Sequence, residues 1–83
     1  MAWRNLLDTV CFFRGQRTDW WLEMDAHGRW VASVFVYRRA YHGWGGAPAA
    51  VSGAQASVAA AMEDAAQRAF AALHLSPPFA LAN

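Results

Sequence analysis

Residues 18–37 read TDWWLEMDAHGRWVASVFVY, and this stretch decides the fold. Its first part alternates. Trp20, Leu22 and Met24 fall on one face of an extended chain, and Trp21, Glu23 and Asp25 fall on the other. Asp25-Ala26-His27-Gly28 then predicts a hairpin turn, with Gly28 free to take a positive φ. Residues 29–37 predict a second strand. Trp30, Ala32, Val34 and Val36 share one face, and Val31, Ser33, Phe35 and Tyr37 share the opposite one. Both faces are largely apolar. Either both are covered, or one is meant for a partner.

The reading extends outward in both directions. Residues 5–14, NLLDTVCFFR, carry β-formers in Val10-Cys11-Phe12-Phe13 and are read as a strand, with a short helix over 3–9 as the alternative. Gly15-Gln16-Arg17 is read as a turn, and residues 40–44, AYHGW, as a short last strand. Gly43, Gly45 and Gly46 then loosen the chain. Ser52-Gly53-Ala54-Gln55 fits a capping box, which predicts a helix over about 53–74. Its apolar stripe is Val58, Met62, Ala65, Ala66, Ala69 and Leu73, with Phe70 at the edge. Asp64 and Arg68 make an i,i+4 pair opposite, and Ser76-Pro77-Pro78 ends the helix. The expected architecture is α+β: an antiparallel β-meander of three to four strands, followed by one C-terminal helix packed on one face. It forms a single domain over 1–83, with the sheet at about 5–45, a loop at 46–52, the helix at about 53–74 and a tail at 75–83. Phe79-Ala80-Leu81 in that tail either tucks back on the sheet or stays loose.

Composition narrows the function classes. The 83 residues hold 7 Arg and no Lys against 6 acids, for a formal net charge of +1. A chain built around nucleic-acid phosphates carries a marked basic excess, and a nucleic-acid mimic a marked acidic one. Neither excess is present. At 57% apolar residues the chain is not intrinsically disordered. No run of about 20 residues is apolar enough to span a membrane. Cys11 is alone, so no intrachain disulfide forms, and with no secretory leader pattern in the N-terminal run Leu6–Phe13 the expected setting is a reducing cytoplasm. Arg-only basic usage, 19 alanines and no Ile fit coding bias in a GC-rich genome. Arg also suits interfaces, because its planar fork pairs bidentately and stacks on rings.

No catalytic, cofactor or metal signature is present. His27, His42 and His74 are scattered without metal-ligand spacing. Cys11 is read as a core residue. Glu23 and Asp25 share a strand face, where solvated charges are the ordinary reading and acid/base work the rarer one. Gly43-Trp44-Gly45-Gly46 lacks the spacing of a phosphate loop.

The functional expectation rests on coverage. One helix of six turns covers one face of a four-stranded sheet, so Trp21, Phe35, Tyr37 and Tyr41 or Trp44 are left on the other. Several aromatics exposed together exceed the apolar patch a monomer usually shows. Either the sheet curls and the N-terminal segment folds over it, or this face is an interface. The second reading makes the chain a non-enzymatic protein-binding module with contact residues Trp21, Tyr37, Arg38, Arg39, Tyr41 and Trp44. Its partner is protein, either a second copy or a larger complex. No cofactor and no membrane is expected. The alternative is a nucleic-acid-binding βββα domain that uses Arg38, Arg39 and the nearby aromatics.

Two resemblances follow. Residues 18–75, three strands and an alanine-rich helix, resemble the latter part of the double-stranded-RNA-binding domain. That family has a further helix before its strands, not read here, and a lysine cluster opening its last helix. Ser52-Gly53-Ala54-Gln55-Ala56-Ser57 has no lysine, so no binding residue is carried over. In size and outline the chain also resembles small phage-encoded inhibitors, anti-CRISPR proteins among them. That resemblance implies action by occluding a surface of a larger complex.

Overall fold

Apolar residues of the N-terminal segment at positions 3, 6, 7, 10 and 11 follow helical spacing, with Phe12 and Phe13 off that stripe and exposed. In the computed structural model, which describes residues 2–43 and 45–75, this segment is a helix, α1 (Trp3–Phe13). The expected strand over 5–14 is therefore corrected, and the weighed helix over 3–9 falls short of the true end. The β-propensity of Val10 to Phe13 yields to a periodicity that lets Leu7 and Cys11 both be fully buried.

The central hairpin forms, but its first strand begins at Gln16, so Gln16 and Arg17, read as a turn, belong to the strand. β1 (Gln16–Met24) pairs antiparallel with β2 (Trp30–Arg38), in an unbroken register from Gln16 opposite Arg38 to Met24 opposite Trp30. The Asp25 carboxylate closes the turn by accepting from the backbone amides of His27 and Arg29, each at 2.9 Å, while Gly28 sits at φ 75°. The amide of Arg29, then that of His27, hold the Asp25 carboxyl below its usual range against the opposing effect of burial.

The third strand is not at 40–44. Residues 40–43 turn away from the sheet after Tyr41 N–H donates to Arg38 C=O at 2.9 Å, and Gly45 and Gly46 take φ of 108° and 83°. Strand β3 (Ala50–Val51) instead pairs antiparallel with β2 inside the stretch expected to be loop. The sheet order is β1-β2-β3. The capping box is also corrected. Ser52 is buried, and its Oγ accepts from Ala32 N–H at 2.8 Å, extending the ladder where β3 ends. Gln55 pairs its backbone with Trp30. Helix α2 (Val58–Ala72) starts later than expected, capped by Ser57, whose side chain accepts from Ala60 N–H at 3.1 Å. Completing β2's second edge satisfies buried backbone groups that five extra helical residues would have left unpaired.

The fold is α+β, a three-stranded antiparallel sheet with the C-terminal helix on one face. Ala61, Met62, Ala65, Ala66, Ala69 and Phe70 of α2 are buried with Ala32 and Val34 of β2 and Leu7 and Cys11 of α1 in one core. Phe70 is thus central, not at the edge of the stripe. The expected Asp64–Arg68 pair is present at 3.0 Å, and Asp64 also accepts from Gly53 N–H at 2.8 Å. Glu63 has a role its sequence position did not suggest. Its two carboxylate oxygens accept from the backbone amides of Trp3 (3.1 Å) and Arg4 (2.6 Å), capping α1 from the neighbouring helix. Both helices therefore lie on the same side of the sheet, and the molecule spans only 16 Å along its thinnest axis. The tail beyond Leu75, with its expected tuck at Phe79–Leu81, lies outside the described residues, as does Trp44. No helix among the described residues is long and apolar enough to cross a membrane.

Candidate functional site: the open face of the sheet

Strand parity sorts the side chains. Trp20 stands opposite Val34, and Leu22 opposite Ala32, on the side that carries the helices. Arg17 stands opposite Tyr37, Asp19 opposite Phe35, and Trp21 opposite Ser33, on the other side. The two faces match the sequence-based assignment. The N-terminal segment does not fold over the second face, because Glu63 and the core hold α1 beside α2.

The open face carries a row of rings. Tyr41 stacks on Tyr37 with centroids 5.5 Å apart, and Tyr37 on Phe35 at 6.2 Å. The Arg17 guanidinium lies over the Tyr37 ring at 4.8 Å, pairs with Asp19, and donates to Tyr41 C=O at 3.0 Å. Trp21 is 55% exposed and Tyr41 48%, and the Trp21 indole donates to Glu23 Oε1 at 2.7 Å. The Tyr37 hydroxyl donates to Gly45 C=O at 3.0 Å, which ties the glycine loop to the sheet. Between them lies a pocket of about 180 Å³ lined by Asp19, Trp20, Trp21, Phe35, Tyr37, Gly45 and Gly46. A row of rings pre-ordered by stacking and by one guanidinium loses little side-chain entropy when it is covered.

The expected contact residues divide. Trp21, Tyr37 and Tyr41 come together on this face. Arg38 is exposed at the end of β2. Arg39 turns to the far end of α1, where its guanidinium sits 4.6 Å over the Phe12 ring and donates to Phe12 C=O at 2.6 Å. Trp44 lies outside the described residues. Arg17 and Asp19 were missed as site residues because Arg17 was placed in a turn. Their parity with Trp21, at two-residue steps, was the available signal.

Outside this face, Cys11 is buried in the core but on a helix rather than a strand. Burial, with Asp8 nearby, pushes its thiol up. Among the described residues, no group of three or more His, Cys, Asp or Glu is placed to hold a metal ion. Compared with known proteins, the chain matches no protein-family model, no curated protein and no solved structure.

Proposed function

We propose that this protein is a non-enzymatic binding module that docks a protein partner on the open face of its sheet. One observation carries the reading: both helices lie on one side, leaving Trp21, Phe35, Tyr37 and Tyr41 together on the other. Tyr, Trp and Arg dominate interface hot spots, and Arg17 adds the third type to this patch. The pocket beside Trp21 offers a seat for one apolar or aromatic side chain of the partner. The proposed action is steric blocking of a surface on a larger complex, as in the small inhibitors the chain resembles in outline.

The test pairs affinity capture from host lysate with a double variant, Trp21→Ala with Tyr37→Ala. The expected result is capture of a defined protein by the parent and at least roughly tenfold weaker binding by the variant, at an unchanged fold by circular dichroism. Equal binding by both overturns the reading.

A second reading is supported by the element order. With α1 present, the chain runs α-β-β-β-α, the order of the double-stranded-RNA-binding domain. A nucleic-acid domain using exposed arginines such as Arg38 predicts association that weakens steeply as salt rises, although Arg39 is turned away from the rings toward Phe12. Salt-insensitive or absent RNA binding rejects it.

A further inference from the structure

The main-chain groups of β2 show which edge of the sheet remains unpaired. Trp30, Ala32 and Val34 direct their N–H and C=O groups toward the β3 side, where they bond Gln55, Ser52 and Ala49. Antiparallel ladders alternate, so the odd-numbered residues of β2 bond the odd-numbered residues of β1. The turn agrees, with Asp25 N–H donating to Arg29 C=O at 2.7 Å, and so does the far end, with Arg39 N–H donating to Gly15 C=O at 2.8 Å. Gln16, Thr18, Trp20, Leu22 and Met24 therefore point their backbone groups away from the sheet, and among the described residues no strand takes them. This edge is only partly protected, by the charges of Arg17, Asp19 and Glu23 and by α1 over its first half. It contains no proline, no lysine and no bulge.

We propose that β1 pairs antiparallel with β1 of a second copy, about a two-fold axis at Trp20, to form one continuous six-stranded sheet. Three observations select this partner and this register. First, centring on residue 20 matches all nine residues of the strand, from Gln16 opposite Met24 to Met24 opposite Gln16, and places every outward backbone group opposite another. Second, charge selects the register. Centred on 20, Arg17 stands opposite Glu23 of the second copy, twice, and no like charges meet. A centre at 19 sets Asp19 against itself, and a centre at 21 sets Asp19 against Glu23 twice. Third, α1 covers only half of its own strand. Asp8 accepts from the Thr18 hydroxyl at 2.7 Å, and the Arg4 guanidinium sits 5.8 Å from the Trp20 ring, but Leu22 (36%) and Met24 (57%) stay exposed on the same side. The two-fold axis brings the second copy's α1 beside that bare half and keeps the two helices at opposite ends of the seam. The dimer also joins the two open faces, setting each Trp21 opposite Asp19 of the second copy and diagonal to its Trp21. The seam thus borders the open face through Arg17, Trp21 and Glu23, while Phe35 and Tyr37 lie one strand away on β2.

Sedimentation equilibrium of the whole chain over a concentration series tests this, with each variant checked by circular dichroism. The parent is expected as a monomer–dimer equilibrium. Leu22→Pro removes an outward N–H that no strand among the described residues takes, so it is expected to leave the fold intact and raise the dissociation constant at least roughly tenfold. Glu23→Arg turns two attractive contacts repulsive and is expected to weaken the dimer, and adding Arg17→Glu to it to restore it. If Leu22→Pro does not fold, this charge exchange decides. A parent that is monomeric at every concentration overturns the proposal. A dimer that survives Leu22→Pro, is indifferent to the charge exchange, or is lost with Tyr37→Ala instead, overturns it too.

Discussion

Replacing Glu63 by Ala removes a side chain that caps α1 from the neighbouring helix, where Ala2 at the N-cap position has no side-chain acceptor of its own. Two backbone amides, those of Trp3 and Arg4, lose a carboxylate partner at 3.1 and 2.6 Å. A hydrogen bond to a charged group contributes about 1.5–3 kcal/mol when shielded, and these two are half-buried and exposed, so about 1 kcal/mol each is the reasonable share. The loss of about 2 kcal/mol corresponds to a fall in Tm of roughly 8–16 °C for a domain of this size. Glu63→Gln keeps one acceptor oxygen without the charge and is expected to lose about half as much. Thermal melts followed at 222 nm measure the total, and hydrogen exchange at the Leu7 and Cys11 amides locates it in α1. Melts of both variants within about 2 °C of the parent would refute the claim that this carboxylate fixes α1 beside α2. That contact matters for function, because it keeps α1 beside α2 and off the open face.

Three further outcomes follow from the same structure. Ser52→Ala leaves the buried Ala32 N–H without its acceptor and is expected to destabilise by about 1–3 kcal/mol in urea denaturation, with the β3 edge exchanging first. His74 sits at φ 53° in a helix stop where Leu75 N–H donates to Phe70 C=O at 2.8 Å and His74 N–H to Ala71 C=O at 3.3 Å, so His74→Gly is expected to raise stability by about 0.5–1 kcal/mol, read as a higher Tm. Asp25 is held below its usual range in the fold, so its contribution is full above the unfolded value near pH 4 and is lost as pH falls through the lowered one; the urea midpoints of parent and Asp25→Ala are expected to differ at pH 6 and to converge in strong acid.

The hairpin was legible because its signals are local. Alternation in TDWWLEM and RWVASVFVY, and an Asp-Ala-His-Gly turn between them, act over two to four residues and do not depend on what packs above. The α2 stripe was legible for the same reason, although its start was not. Ser52 and Ser57 both offer a cap, and the choice went to Ser57 because Ser52 is used by a strand twenty residues earlier. In the N-terminal segment two local signals conflicted, β-branched and aromatic content against spacing at 3, 6, 7, 10 and 11, and burial of Leu7 and Cys11 resolved it.

The candidate site divides along the same line. That Trp21, Phe35 and Tyr37 share a face follows from strand parity alone, because side chains two apart on a pleated strand point the same way. Parity also placed Trp20 and Leu22 on the opposite side. It said nothing of which side the first helix would take. Glu63, reaching from α2 to the first amides of α1, puts both helices on one side, and that contact spans 60 positions of chain. A second long-range contact draws Arg39 away from the rings beside it in sequence, because a guanidinium goes where a carbonyl and a ring face are presented, and here those belong to Phe12. Local periodicity assigns residues to faces; only long-range contacts decide which face is left uncovered.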